Sequence, residues 1–267
     1  MEFREILFNT DQGVATATLN RPDIRNAITQ PEIIAEIKAV CRQVNEDMAI
    51  KALIVTAVDP AYSSGGNVKD MKDRKGMFQG TPAEIMEKYR SNLQDVLLAV
   101  YNVEIPTIAA INGSAVGAGC GLALMCDIRV ASRKATFGET FLNVGLVTGD
   151  GSAFTLPRTV GMSKACELIF TGATIDADTA LGVGLINYVV EHDQLLVKAN
   201  EIAANIASKP PQALRLTKRL IRTGQHSTLV HVMEEAAAFQ SLCHYTEDHM
   251  EALSAMFEKR QPKFAGK

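Results

Sequence analysis

The spacing of apolar residues near the start of the chain predicts two strands followed by a helix. Apolar and polar residues alternate over residues 14–19, a period typical of a half-buried strand. Residues 3–8 predict its partner, because the turn Asp11-Gln12-Gly13 separates the two segments. Apolar residues then recur with helical spacing over residues 33–44, and Thr29-Gln30-Pro31-Glu32 predicts a capping box that opens this helix.

Short apolar runs in the middle of the chain predict buried strands. Leu53–Val58 and Thr107–Ile111 are each linked to a glycine-rich turn, and a further strand is expected over Ile128–Ala131. Asp127, directly before that strand, is expected to anchor a loop. The recurring order of strand, glycine turn and helix predicts an α/β fold.

The remaining pattern predicts a loop, a second capped helix and a helical end. Residues 67–81 are rich in Lys, Asp and Gly and read as a mobile loop, while Thr81-Pro82-Ala83-Glu84 predicts a capping box. Pro210-Pro211 marks a boundary, after which the pattern is helical to about Lys259. We therefore expect a core over residues 1–208 and a helical region over 209–267 that packs on the core or on another subunit.

Composition excludes several classes of partner. The 267 residues are 47% hydrophobic and carry a net charge of −3 with no basic block, which argues against nucleic acid or a membrane surface as partner. No apolar run reaches the roughly 18 residues of a membrane span, and the first residues lack a signal-peptide pattern. The five cysteines have no metal-site spacing and are expected to be reduced, mostly buried thiols of a cytoplasmic protein.

The two glycine turns are the strongest chemical signal. They comprise Tyr62-Ser63-Ser64-Gly65-Gly66-Asn67 and the run from Asn112 to Gly121. Glycine lets a backbone approach closely, so the two turns could present two N–H groups to one oxygen, as an oxyanion hole does. A helix expected after the second turn would add the positive end of its dipole.

Other interpretations of these turns stay open. Both could be ordinary tight turns. Residues 117–121 also resemble a dinucleotide-binding loop, although they read GxGxG and no acidic residue ends a second strand about 20 residues on. Cys120 could be a nucleophile, but every histidine lies in the last third of the chain. His244 and His249, five residues apart, would be poor metal ligands on one helix, so no metal is expected.

Several motifs together resemble the crotonase family, the enoyl-CoA hydratases and isomerases. They are LNRP at 19–22 with Asn26-Ala27, YSSGGNV at 62–68, NGSAVGAGCGLALMCD at 112–127, ATFGE at 135–139, and AMFEKRQPKF at 255–264. The resemblance implies a crotonase-like spiral of ββα units with a helical C-terminal region. It further implies a homotrimer or dimer of trimers that binds acyl-CoA thioesters and needs no cofactor besides the CoA of its substrate.

The resemblance also assigns roles to residues. The N–H groups of Gly66 and Ala118 would hold the thioester oxygen as an enolate forms. Arg25 and, from a neighbouring subunit, Lys259 or Arg260 would meet CoA phosphates, although each could equally be a solvent-exposed surface charge. The backbone of Ala61 to Gly65, which includes Ser63 and Ser64, would hold the adenine and the pantetheine arm.

The chain departs from the family at both carboxylates that hydratases use. Gly121 and Phe141 occupy these two positions. Asp150, in a loop where several crotonases carry a single carboxylate, is the main candidate acid/base, and Glu139 is the reserve candidate. Asp150 could instead be a turn residue or helix cap, and Glu139 a solvated or ion-paired side chain.

These departures favour one-carboxylate isomerisation of a double bond over two-glutamate hydration. An acyl-CoA-binding subunit with little catalysis is an alternative, because both glutamates are absent. A C–C hydrolase or decarboxylase on the same scaffold is another.

Overall fold

Two β-sheets organise the fold. A computed structural model describes residues 3–267, and within that range all but two of the strand pairs are parallel. The exceptions are the first two strands and the last pair of the smaller sheet. The strands are β1 (Ile6–Asp11), β2 (Val14–Leu19), β3 (Ala52–Ala57), β4 (Ala61–Ser63), β5 (Thr107–Ile111), β6 (Ser114–Val116), β7 (Ile128–Ser132), β8 (Thr136–Gly138), β9 (Ile175–Asp176) and β10 (Tyr188–Val190).

The order of the strands produces a repeating unit. The larger sheet runs β1-β2-β3-β5-β7-β10 and the smaller runs β4-β6-β8-β9. Each of β3, β5 and β7 in the larger sheet is followed within a few residues by a short strand of the smaller one, and then by a helix. The chain therefore winds as a spiral of ββα units, which confirms the predicted fold class.

Helices cover the sheets and make up the C-terminal region as far as Glu258. A π-helical segment, Tyr89–Gln94, joins two of them into one long rod. Among residues 3–267, no helix combines the length and apolar character needed to cross a membrane. The α-helices are α1 (Pro31–Glu46), α2 (Val68–Asp73), α3 (Pro82–Lys88), α4 (Asp95–Tyr101), α5 (Ala118–Met125), α6 (Ser152–Val160), α7 (Met162–Thr171), α8 (Ala177–Gly182), α9 (Leu195–Ala207), α10 (Pro211–Gly224), α11 (Leu229–His244) and α12 (Glu247–Glu258).

Both faces of the larger sheet are buried. Helices α1, α4 and α5 enclose the main apolar cluster on one face, and α9 covers the other with a row of alanines. Every residue of β3 and β5 is consequently buried. Parallel strands that are buried on both faces appear in a sequence as continuous apolar runs, so β3 and β5 could be predicted.

Two local predictions are wrong and one is confirmed. Helix α1 begins at Pro31 with no side-chain cap, because the Thr29 hydroxyl accepts the N–H of Asn67 at 3.4 Å instead. Residues 67–81 are not one loop, since Asn67 caps α2. The second capping box is present: Thr81 and Glu84 exchange both side-chain-to-backbone hydrogen bonds.

Asp127 ties the core to the C-terminal helices. Its carboxylate accepts hydrogen bonds from the N–H and hydroxyl of Thr107 at the start of β5, which confirms the predicted anchoring role. It also contacts Lys218 Nζ at 2.7 Å and Arg222 Nη2 at 2.8 Å, both from α10. Burial lowers the pKa of Lys218, and Asp127 opposes that shift.

We predict that Asp127→Asn lowers the free energy of unfolding by about 3 kcal/mol, because it leaves the buried Lys218 cation without its carboxylate. Urea denaturation measures the loss. Glu104→Gln is the matched control, since the Glu104–Arg215 pair has a glutamate that is 60% exposed and should contribute less than about 1 kcal/mol. Equal losses in the two variants would contradict the prediction.

Candidate active site

The two glycine turns meet at the ends of paired strands. Strand β4 lies parallel to β6, with Ala61 opposite Ser114. The turn after β4 therefore reaches the turn after β6. A Cβ atom on Gly65 would lie 2.6 Å from the backbone nitrogen of Ala118. Only glycine allows this approach, so the spacing in the sequence corresponds to a direct backbone contact.

The two predicted oxyanion donors lie at this contact. Gly66 directly follows the glycine that touches Ala118, and Ala118 is the first residue of α5. Within residues 3–267, no group accepts a hydrogen bond from either N–H. All eight residues of α5 are buried, so its dipole reaches Ala118 with little solvent screening. Both N–H groups are thus available to an anionic oxygen.

The segment around Asn26 holds the first turn in shape. The Asn26 amide donates to the carbonyls of Val58 and Ala61 at 2.8 and 2.7 Å. The Ser63 hydroxyl donates to the Asn26 carbonyl and accepts the N–H of Gly65. These bonds explain why the motif at 19–27 and the turn at 61–66 occur together.

The predicted CoA-binding residues are mostly brought together. Ser64 N–H donates to the carbonyl of Arg25 at 3.0 Å, and the Arg25 side chain is exposed beside the turn. Ala61 and Ser63 are fully buried, so their side chains support the turn and leave only backbone for a ligand. The CoA contacts themselves stay a prediction.

The predicted tail residues lie in another part of the fold. Lys259 is exposed at the C-terminal end of α12, which packs against α11. Arg260 is ion-paired with Glu251 and Glu258. A contact of Lys259 with CoA bound to a neighbouring subunit stays a prediction, and Arg260 already has two carboxylate partners.

Asp150 occupies the space that a side chain at position 121 would need. A Cβ atom on Gly121 would lie 2.3 Å from Asp150 Oδ2 and 2.8 Å from its Cγ. The absence of a side chain in α5 is therefore matched by a carboxyl group that enters from the loop before α6. Asp150 Oδ1 accepts the N–H of Ser152 at 3.0 Å, whereas Oδ2 is buried with no partner. One oxygen supports the start of α6, and the other is free for chemistry.

Glu139 is the neighbour of Asp150. It follows β8 and is 1% exposed, and both its oxygens are buried close to the Ser152 hydroxyl and the Cys120 thiol, without a hydrogen bond of normal geometry. A solvated or ion-paired glutamate is therefore excluded. Burial raises the pKa of Glu139 well above its usual range, and the Asp150 carboxylate raises it further. Burial also raises the pKa of Asp150, to about 6, although the Ser152 N–H opposes the shift.

This pair of carboxyl groups is the feature that sequence reasoning missed. The sequence offers Asp150 and Glu139 as alternative candidates for one acid/base. In the structure they are neighbours, and the pKa of each is raised. Burial raises the pKa of both carboxyl groups, and the Asp150 carboxylate adds to the shift of Glu139; two carboxyl groups with unequal environments are the arrangement expected of an acid and a base. Gly121 is the one feature of the sequence that could have predicted this pair, because a glycine in α5 leaves room for a carboxyl group from another segment.

The pair lies among mostly apolar side chains, with the Ser152 hydroxyl as a polar neighbour. Phe141 is half-buried in the 3-10 turn Thr140–Val144, and its ring would lie 3.8 Å from a Cβ on Gly117. Cys120 is buried, and this burial, together with nearby Glu139, raises the pKa of its thiol well above the usual range. A thiolate nucleophile is therefore disfavoured. In the part of the chain that the structure describes, no three His, Cys, Asp or Glu side chains group around a metal-sized space.

Comparison with known proteins finds relatives that match along nearly the whole chain. The enoyl-CoA hydratase/isomerase family model matches residues 9–267. A crotonyl-CoA hydratase of Syntrophomonas wolfei is 35% identical, with all of both chains covered. A short-chain-enoyl-CoA hydratase of Clostridium acetobutylicum is also 35% identical, over 98% of this chain and 97% of that one.

Solved structures with the same fold include enoyl-CoA hydratases. The crystal structure of an enoyl-CoA hydratase from Bacillus anthracis superimposes with a TM-score of 0.92 at 31% identity, over 99% of this chain and 100% of that one. A putative enoyl-CoA hydratase from Streptomyces coelicolor gives a TM-score of 0.92 at 34% identity, over 100% and 96%. The family model, the named relatives and the solved structures all identify the same family: the chain belongs to the enoyl-CoA hydratase/isomerase family.

Proposed function

We propose that this acyl-CoA enzyme moves a carbon–carbon double bond between the 3- and 2-positions of an enoyl-CoA thioester. The observation that carries the proposal is the free, buried Oδ2 of Asp150 in the space of the missing side chain at 121. A single carboxylate suffices for isomerisation, because one group removes a proton and returns it two carbons away.

The proposed reaction runs through an enolate. Ionised Asp150 takes a proton from the α-carbon of the 3-enoyl thioester, and the electron pair of that C–H bond moves onto the thioester oxygen. The N–H groups of Gly66 and Ala118 stabilise the oxyanion, each contributing about 3–4 kcal/mol in the transition state. Protonated Asp150 then gives the proton to the γ-carbon as the double bond shifts, which regenerates the carboxylate.

Hydration is the second candidate, because Glu139 supplies another carboxyl group beside Asp150 and the named relatives are hydratases. One carboxyl group would take a proton from water while the other protonated the α-carbon. Supplying 3-enoyl- and 2-enoyl-CoA separately distinguishes the two: isomerisation interconverts them, whereas hydration consumes the 2-enoyl thioester to form a 3-hydroxyacyl thioester. Binding without turnover would favour an acyl-CoA-binding subunit, and chain cleavage a C–C hydrolase or decarboxylase.

Assembly as a trimer or dimer of trimers also belongs to this proposal. Large apolar side chains on α11 and α12 are exposed in the single chain, among them Leu229, Met233 and Phe257. Burial of such a surface against further copies would remove it from water. A cytoplasmic location and the absence of nucleic-acid partners stay predictions.

We predict that Asp150→Asn lowers kcat for 3-enoyl-CoA isomerisation by about 10²–10⁴-fold, because the amide cannot accept the α-proton. Stopped-flow spectroscopy of the conjugated product measures it. Glu139→Gln should cost less than tenfold under isomerisation, but as much as Asp150→Asn under hydration. Asp178→Asn, an exposed member of an ion pair with Arg133, is the control. An Asp150→Asn enzyme with unchanged kcat would disprove the assigned role.

The same substitution should stabilise the fold. The carboxyl of Asp150 has a pKa of about 6 in the folded protein against an ordinary value of 3.8. The folded state therefore binds this proton more tightly, and stability declines as pH rises from about 4 through about 6. Asp150→Asn removes that loss, a gain of about 2–3 kcal/mol at pH 7. Urea denaturation at pH 4.5 and 7.5 should show a gain that is about three times larger at the higher pH.

Activity should have the opposite dependence on pH. The base must be ionised, so kcat should rise through about pH 6, where Asp150 loses its proton. The rate of 3-enoyl-CoA isomerisation between pH 5 and 8 tests this expectation. A flat profile would show that another group carries the proton.

Restoring the hydratase glutamate should fail while Asp150 is present. A side chain at 121 collides with the Asp150 carboxyl, so Gly121→Glu should destabilise the fold by about 1–3 kcal/mol. The double variant Gly121→Glu/Asp150→Gly should recover this loss. Gly182→Glu is the matched control, since a Cβ there meets no atom within 4 Å. Comparable denaturation midpoints for Gly121→Glu and Gly182→Glu would contradict the assigned packing.

A further inference from the structure

The two oxyanion donors depend on a strand pair that has little of its own to fix its alignment. Strands β4 and β6 are three residues long each, and their register shifts between Ala61 and Ser63. A slip of this pair would displace the turn after β4 relative to the turn after β6. The separation of the two N–H groups therefore needs a restraint outside the strands.

Such a restraint lies directly before both strands. Asn112 Nδ2 donates a hydrogen bond to Asp59 Oδ1 at 3.0 Å. Asp59 lies two residues before β4 and Asn112 two residues before β6. A Cβ on Gly113 would lie 2.6 Å from the carbonyl oxygen of Pro60, so the two backbones are also in close contact here. The two entry segments are joined side by side.

His192 holds the other side of Asp59. Its Nε2 lies 3.1 Å from Asp59 Oδ2, and its Nδ1 lies 3.1 Å from the Ser132 hydroxyl at the end of β7. Ser132 Oγ already accepts the N–H of Lys134. The hydroxyl hydrogen is thus free for Nδ1, and Nε2–H donates to Asp59. One imidazole connects the larger sheet to the entry of β4.

The order serine, histidine, aspartate resembles a hydrolytic triad, but its geometry excludes that role. Ser132 is fully buried, so no substrate carbonyl can reach its hydroxyl. The network also lies before the two strands, whereas the oxyanion donors lie after them. Its position suits control of alignment.

We propose that Asp59, Asn112 and His192 form a clamp that sets the spacing of the Gly66 and Ala118 N–H groups. They are positioning residues, and none of them touches the acyl group. The inference rests on the oxyanion role assigned to these two donors in the proposed function. The Asn112 side chain is buried, and that of Asp59 is 63% exposed. Hydrogen bonds to Asn112 and to His192 both lower the pKa of Asp59, which keeps its carboxylate ionised as an acceptor.

Asn112→Asp breaks the clamp with almost no change of shape. Two carboxylates then face one another at residues 59 and 112 and repel at pH 8. We expect kcat for the acyl-CoA reaction to fall about tenfold with KM changed less than twofold, because the donors act in the transition state. The control is Asn205→Asp, which adds the same charge at an exposed site on α9.

Acid should rescue the variant. The charged groups facing Asp59 are His192 and Lys134, and neither supplies a proton bridge to residue 112. Below the raised pKa of the new carboxyl pair, one carboxyl is protonated and donates to the other. The ratio of variant to wild-type kcat should therefore increase at least threefold between pH 8 and pH 5.5. A residue with only a general structural role would not give this recovery.

A second variant and a measurement of hydrogen exchange test the clamp independently of Asn112→Asp activity. His192→Gln removes the ring that spans Ser132 and Asp59, and it should also lower kcat at constant KM if Asn112→Asp fails to fold. Amide hydrogen exchange of segments 61–67 and 113–119 should accelerate in both variants relative to wild type and to Asn205→Asp. Exchange is measured without substrate, so it tests the clamp even if wild type turns over no acyl-CoA, which would refute the proposed function alone. Unchanged exchange, or unchanged kcat in an active enzyme, would overturn the clamp.

Discussion

The close approach of two backbone turns is the constraint on which the rest of the structure depends. With 2.6 Å between the position of a Cβ on Gly65 and the nitrogen of Ala118, no side chain fits between the turns. The turns that carry the Gly66 and Ala118 amides are thereby held against one another. The parallel pairing of β4 with β6, the hydrogen bonds of Asn26 and the start of α5 all converge on this contact. Preorganised donors are effective because they need no rearrangement when charge develops.

Features that depend on local chain chemistry could be predicted from the sequence. The continuous apolar runs of β3 and β5 indicated strands buried on both faces, and the capping box at Thr81 and Glu84 marked the start of α3. The predicted box at Thr29 failed for a tertiary reason. Its hydroxyl accepts the N–H of Asn67, a residue 38 positions away, and no local pattern encodes that competition.

The candidate site divides in the same way. The meeting of the two glycine-rich turns could be predicted, because a glycine-rich turn after a strand constrains the backbone itself, while the oxyanion role of Gly66 and Ala118 stays a prediction from the family resemblance. The relation between Asp150 and Glu139 could not be predicted, because it depends on empty space above Gly121. In the sequence, glycine at position 121 indicates only that a hydratase carboxylate is absent. In the folded chain it is the opening through which another carboxyl group enters.

The energetics of this carboxyl pair argue for chemistry over structure. Three of its four oxygens, both of Glu139 and one of Asp150, are buried without a hydrogen bond of normal geometry. Burial without a partner costs about 1–3 kcal/mol for a neutral polar group and more for a charged one. Only Asp150 Oδ1, bonded to the Ser152 N–H, contributes to the fold. Burial of the remaining oxygens destabilises the protein and raises the pKa of both groups, that of Asp150 to about 6. The cost falls beside Gly121 on α5, one helical turn after Ala118, which is where the proposed reaction needs a base.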